Sequence, residues 1–190
     1  KNEGLWPAKN KVLVNSINWI SSISPWINYE YEPVFVDVSD NICPSVEQVC
    51  GILDKNPNIK TVFYTTLLGY SCNLEDLLLE CVSLDVRLLL DNCESSFSKA
   101  EFGPFFGEYS ISFNNITLSS TSIYLSHFTS GSQEGGLVFA PDQETYEWLK
   151  MSRNHGMTRG MPEKYRNYEM DESFDFYLMG SNYRSSNLLA

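Results

Sequence analysis

No uninterrupted apolar stretch in this sequence reaches the roughly 20 residues that a helix needs to cross a bilayer, so a membrane span is not expected. Basic residues are scarce: 13 lysines and arginines stand against 24 aspartates and glutamates, a formal net charge of −11. So acidic a chain repels polyphosphates and anionic lipids, which argues against nucleic acid and membrane surfaces as partners. An anionic small molecule would need a local site made from helix N-termini or a few placed arginines. Cysteine is limited to Cys43, Cys50, Cys72, Cys81 and Cys93, an odd number in or beside apolar runs. That usage points to reduced thiols and a cytoplasmic protein. Their spacing lacks the two-residue pairing of strong zinc or iron–sulfur motifs, so no metal is expected. No Gly-x-Gly-x-x-Gly and no Walker pattern occurs. Ser96-Phe97-Ser98-Lys99 satisfies Ser-x-x-Lys, but the companion motifs of the penicillin-recognising enzymes are missing. Lysine is also missing from the whole interval between Lys99 and Lys150.

What is present is ordinary globular usage. Hydrophobic residues make up 43% and charged residues 19% of a 190-residue chain, enough for one domain with a real core. Short β-branched runs alternate with longer amphipathic ones. Lys11–Asn15, Pro33–Val38, Lys60–Thr65 and Val86–Asp91 read as buried strands, and Ser119–Tyr124 and Gly136–Ala140 as two later ones. Ser45–Leu53, after Pro44, and Asn73–Ser83, with a cap-like asparagine and an acidic first turn, read as helices. Gln143–Arg153 reads as a further helix that stops near Gly156, and residues 157–179 read as loop. Strand–helix alternation predicts an α/β fold: three layers, a mostly parallel sheet with helices on both faces. Ligands of such sheets sit beyond the carboxyl ends of the strands, which directs attention to the residues that end each strand.

Those residues form an ordered series. Asn15-Ser16-Ile17-Asn18-Trp19, Pro33-Val34-Phe35-Val36-Asp37-Val38 and Leu67-Leu68-Gly69-Tyr70-Ser71-Cys72-Asn73-Leu74 come first. Asp91-Asn92-Cys93-Glu94 and Ser122-Ile123-Tyr124-Leu125-Ser126-His127 follow, then Glu134-Gly135-Gly136, Arg153-Asn154-His155-Gly156 and Gly180-Ser181-Asn182-Tyr183-Arg184. In order and spacing the series resembles the DegT/DnrJ/StrS family of sugar aminotransferases and their dehydratase relatives. The resemblance runs from about Lys11 to the last residue. It implies the large domain of type I pyridoxal-phosphate (PLP) dependent transferases, with PLP or its amine form, pyridoxamine phosphate (PMP), as cofactor. It also implies a nucleotide-linked sugar as substrate and a homodimer with shared active sites. The glycine and small hydroxyl residues that open the family's phosphate site would precede Lys1, and its small domain would follow Ala190. Residues 1–190 are therefore expected to be a partial large domain.

The resemblance also assigns roles. Asp91 falls where a carboxylate pairs with the pyridine nitrogen, Trp19 where an aromatic ring stacks on the cofactor, and Glu94 where a polar residue lies near it. Ser122 matches a serine that hydrogen-bonds the cofactor phosphate. Asn182 matches an asparagine that reaches the phosphate in the neighbouring subunit, and Arg184 is a weaker candidate beside it. His127 stands where the aminotransferases carry the lysine that binds the cofactor covalently. The resemblance there shifts to the nucleotide-sugar 3-dehydratases, in which a histidine removes a proton from the cofactor-bound substrate. An ordinary imidazole, with a pKa of about 6.5, suits that role near neutral pH. The interval from His127 to Glu134 is one residue longer than usual, so Phe128 is the other residue that could hold the lysine position. With no cysteine after Cys93, the iron–sulfur branch of the dehydratases is disfavoured. Three readings stay open: a 3-dehydratase, an aminotransferase-family homologue without its own lysine, and a catalytically silent subunit that keeps the fold.

Overall fold

The structure is a computed structural model and describes residues 10–95, 99–100, 103–104, 116–124 and 135–184. In chain order its elements begin with β1 (Lys11–Asn15), α1 (Ile20–Asn28), β2 (Glu32–Val36) and α2 (Val46–Leu53). Next come β3 (Ile59–Thr65), α3 (Leu74–Ser83), β4 (Arg87–Asp91) and the two-residue strands β5 (Lys99–Ala100) and β6 (Gly103–Pro104). They are followed by β7 (Ile116–Ser122), β8 (Gly136–Phe139) and α4 (Gln143–Ser152). Six strands make one sheet in the order β2-β1-β3-β4-β7-β8, parallel throughout except for the antiparallel β7–β8 edge. β5 and β6 pair separately.

That order fixes where the helices lie. The chain steps outward from β1 to β2, then returns past β1 to β3 and continues to β4. Right-handed crossovers in opposite directions put their helices on opposite faces. α2 and α3 accordingly bury Val49, Leu53, Leu77 and Leu78 against Leu13, Val62, Tyr64, Leu88 and Leu90. α1 covers the other face, where its Trp26 meets Phe63 edge-on with ring centroids 5.6 Å apart. The expected mostly parallel, helix-covered α/β fold is the one observed.

Local chemistry starts the helices, at Asn73 as expected and at Ser45 through a pair that sequence reading did not single out. Ser45 and Gln48 form a reciprocal capping box on α2, at 2.8 and 3.3 Å. The Asn73 side chain accepts from the amides of Glu75 and Asp76 at the start of α3. α1 is the element that sequence reading misses. Pro25 lies inside it and has no amide to donate to the preceding turn, and no α1 residue is fully buried. Strand boundaries also move, by one residue at one end of β3, β4 and β8 and by more in β2 and β7. β2 spans Glu32–Val36 rather than Pro33–Val38, and β7 spans Ile116–Ser122 rather than Ser119–Tyr124. Residues 157–179 contain neither α-helix nor strand, only two short 3-10 turns (Glu163–Tyr165 and Glu172–Phe174). Two buried carboxylates pin this loop. Asp175 accepts from Thr158 Oγ1 at 2.8 Å and the Asn167 amide at 2.9 Å, and Glu147 accepts from Tyr165 Oη at 2.9 Å. Among the described residues no helix is long and apolar enough to cross a membrane.

Candidate active site

The site lies at the carboxyl ends of β1, β3, β4 and β7, on the face that α1 covers. Parallel pairing aligns Thr65 with Asp91 and Asp91 with Ser120, so the last residues of β3 and β4 form one row with Ser120, two residues before the end of β7. The alternation of strand side chains then decides which of them face α1. On β4, Leu88 and Leu90 enter the apolar core, and Asp91 points to the opposite side. A cavity of about 840 Å³ opens there. Trp19, Asp91, Glu94 and Ser122, four of the residues singled out from sequence, line it together with Ser22, Thr65 and Cys93.

Asp91 is the electrostatic centre of this arrangement. It is 9% exposed. Ser22 Oγ, on the first turn of α1, donates to its Oδ2 at 2.8 Å, and the Cys93 amide donates to its Oδ1 at 3.1 Å. Charge-assisted bonds of this kind stabilise a carboxylate removed from bulk water. The main chain below it is held by Asn92. Asn92 Oδ1 accepts from Thr66 Oγ1 at 2.9 Å, its Nδ2 donates to Ser119 Oγ at 2.8 Å, and its amide donates to the Ser120 carbonyl. These three residues are buried, so the strand ends are cross-braced by a satisfied polar network. Trp19 is the N-cap residue of α1. Its amide is held by Asn18 Oδ1 at 2.8 Å, and Asn18 Nδ2 donates to Thr65 Oγ1 at 2.9 Å. Its ring is 74% exposed, at the rim of the cavity. Ser122 ends β7, where its Oγ accepts from the Tyr124 amide at 3.0 Å. Burial, aided by the Asp91 charge, pushes the neighbouring Cys93 thiol above its ordinary pKa and keeps it protonated at neutral pH.

Asn182 and Arg184 are not brought into this cavity. Asn182 is paired through its backbone with Asn154, just after α4, and its Oδ1 accepts from Arg184 Nε at 2.9 Å. Arg184 also lies 3.3 Å from His155 Nε2. His127, like Phe128, lies outside the described residues. Sequence reading passed over Ser22, Asn18 and Thr65. Each is a small polar residue without a motif of its own, and the signal that could have found Ser22 was its place three residues after Trp19. A smaller cavity of about 460 Å³ lies among Lys164, Arg166, Phe174 and Tyr177 and contains none of the predicted residues.

A buried, doubly held carboxylate in a roomy cleft rimmed by an aromatic ring and hydroxyls suits a flat, cationic ring with an anionic tail. The chain is 28% identical over 183 residues to a GDP-4-keto-6-deoxy-D-mannose 3-dehydratase of Escherichia coli O55:H7, covering 92% of this chain and 44% of that protein. It is likewise 28% identical over 186 residues to the Yersinia pseudotuberculosis protein of the same name, with the same coverage. It therefore spans less than half the length of these curated relatives. Among solved structures, the E. coli GDP-4-keto-6-deoxy-D-mannose-3-dehydratase with bound hydrated PLP superposes with a TM-score of 0.73 at 25% identity, covering 96% of this chain and 46% of that one. Residues 4–190 match the DegT/DnrJ/EryC1/StrS aminotransferase family, and the chain belongs to that family.

Proposed function

We propose that this chain carries the cofactor site of a PLP- or PMP-dependent nucleotide-sugar enzyme that catalyses a 3-dehydratase-type reaction. The observation that carries the reading is the Asp91 carboxylate, buried at a strand end and aimed into a cavity that Trp19 and Ser122 also line. These residues fit the cofactor. Oδ2 of Asp91 accepts from Ser22 and Oδ1 from the Cys93 amide, and a carboxylate oxygen has a second lone pair that a protonated pyridine nitrogen can use. Trp19 offers a ring face at the rim, and Ser122 a hydroxyl at the end of β7 for the phosphate.

When bound, the cofactor supplies a protonated heteroaromatic ring that acts as an electron sink. The chain's own residues set the conditions for it. The Asp91 charge favours the proton on the ring nitrogen. Trp19 covers one ring face and keeps water from it. Glu94, at the exposed side of the cavity, is placed to contact the polar edge of the ligand. His127 is the group that removes a proton from the substrate carbon, its neutral imidazole being available near pH 7. The two curated relatives are both 3-dehydratases, which favours that chemistry over transamination. It makes GDP-4-keto-6-deoxy-D-mannose the first nucleotide-linked sugar to test. The active form is a cytoplasmic homodimer in which Asn182, which does not line its own chain's cavity, completes the partner's phosphate site.

The test uses the full-length protein. His127→Asn should keep the cofactor but lose activity by on the order of a hundredfold or more, the usual scale for a lost general base. His127→Lys should retain PLP covalently after borohydride treatment and denaturation, whereas the parent protein should release it. If His127→Asn turns over like the parent, the histidine is structural and the dehydratase chemistry falls. If neither PLP nor PMP binds the full-length protein, the cofactor reading falls as well.

A further inference from the structure

We propose that Ser22 is a positioning residue for the Asp91 carboxylate, so that the first turn of α1 sets the protonation of the cofactor's ring nitrogen; this rests on the cofactor reading above. Ser22 Oγ donates to Asp91 Oδ2 at 2.8 Å and the Cys93 amide to Oδ1 at 3.1 Å. One donor on each oxygen fixes the plane of the carboxylate, which otherwise turns freely about its last torsion. The Cys93 donor belongs to the same turn as Asp91 and follows it in any movement. Ser22 comes from a separate element 69 residues away, so it anchors the carboxylate from outside.

The same bond reaches Trp19. The Ser22 amide donates to the Trp19 carbonyl at 3.0 Å, and the two residues sit three apart, on one side of the helix. Both line the cavity. No residue of α1 is fully buried, so apolar burial alone does not hold its first turn. Two side-chain bonds tie this segment to the strand ends, Ser22 to Asp91 and Asn18 to Thr65. One hydroxyl thus links the group that pairs with the ring nitrogen to the group that covers the ring. Its loss lets the carboxylate swing away, which weakens the anion's pull on the ring proton.

The experiment uses the full-length protein with PLP labelled with nitrogen-15 in its ring. Cofactor affinity is measured by titration, and the pH midpoint for loss of the ring-nitrogen proton by solid-state NMR. Ser22→Ala should weaken PLP binding about tenfold, the scale of one hydrogen bond to a charged group, and should lower the midpoint. Ser22→Thr, which keeps the hydroxyl, should restore both. Asp91→Asn should lower both further than Ser22→Ala does. An unchanged or raised midpoint in Ser22→Ala, with Asp91→Asn still shifted, overturns the positioning role and leaves the cofactor reading intact. No effect of Asp91→Asn on affinity or midpoint overturns the cofactor reading itself. A Ser22→Thr variant that behaves like Ser22→Ala shows that the hydroxyl is not the cause and also overturns the role.

Discussion

The two faces of the sheet are made from the same strands by alternate residues, yet they serve different ends. Towards α2 and α3 the strands send Leu13, Val62, Tyr64, Leu88 and Leu90 into one apolar cluster, with Cys43 and Cys81 fully enclosed. Towards α1 they send Phe63, Thr65 and Asp91, and the covering helix buries no residue completely. The first face is closed by dispersion and the hydrophobic effect, which exclude water and tolerate no gap. The second is held at its strand ends by directional bonds: Ser22 to Asp91, Asn18 to Thr65, Asn15 to Thr65. Stability is concentrated on one side of the sheet, and the other is left open for a ligand.

Truncation on each side should separate the two roles most widely. Leu77 is fully buried on α3, and Leu77→Ala should cost about 2–5 kcal/mol in denaturant unfolding. Trp26 packs edge-on against Phe63 and Tyr31 but is only partly buried on α1. Trp26→Ala should cost only about 1–2 kcal/mol, although the residue is larger. Equal losses would mean that α1 belongs to the same cooperative core, and the contrast between the faces would fail.

Trp19 sharpens the contrast from the ligand side. With three-quarters of its surface exposed, its ring contributes little to the fold of the free protein. Trp19→Ala should leave unfolding within about 0.5 kcal/mol of the parent. The same change should weaken PLP binding by about 1 kcal/mol, the scale of a lost ring stack, in a spectroscopic titration. A large stability loss with unchanged affinity would reassign Trp19 to the core.

How much of this was legible in the sequence follows the same division. The closed face was readable, because buried parallel strands print themselves as runs such as Leu88-Leu89-Leu90, α2 follows Pro44 with apolar residues at helical spacing, and α3 announces itself through Asn73. At the open face only the end of the strand was readable. Asp91, which closes an apolar run, and Trp19 were both found through their places in the family series. α1 was not readable. A helix with an internal proline, three serines and no fully buried side chain carries little periodic signal, and what holds its first turn comes from residues 47 and 69 positions away. Ser22 is invisible for that reason. The start of β7 was missed because Ile116–Leu118 pairs with β4, a long-range contact that the local asparagines do not suggest.

The closed face also predicts the smallest effect, an alkaline limb of stability. Cys81 is fully buried, and burial pushes its thiol up to about 12, with Cys50, Cys72 and Glu80 adding to the rise. Cys72 is likewise pushed up to about 12, chiefly by burial. In the unfolded chain each thiol ionises near its ordinary value, so between that value and about 12 the folded state binds more protons than the unfolded one. Stability from these thiols is therefore complete below about pH 8.5 and declines as pH rises through the window. By pH 10 the decline should be on the order of 1 kcal/mol per thiol. Comparing denaturant midpoints at pH 8 and pH 10 for the parent and Cys81→Ala isolates the term. The variant should be less stable at both, because it leaves a small cavity, but it should lose less between them. Parallel losses in the two proteins would show that the Cys81 thiol ionises in the folded state, and that water reaches the face taken here to be closed.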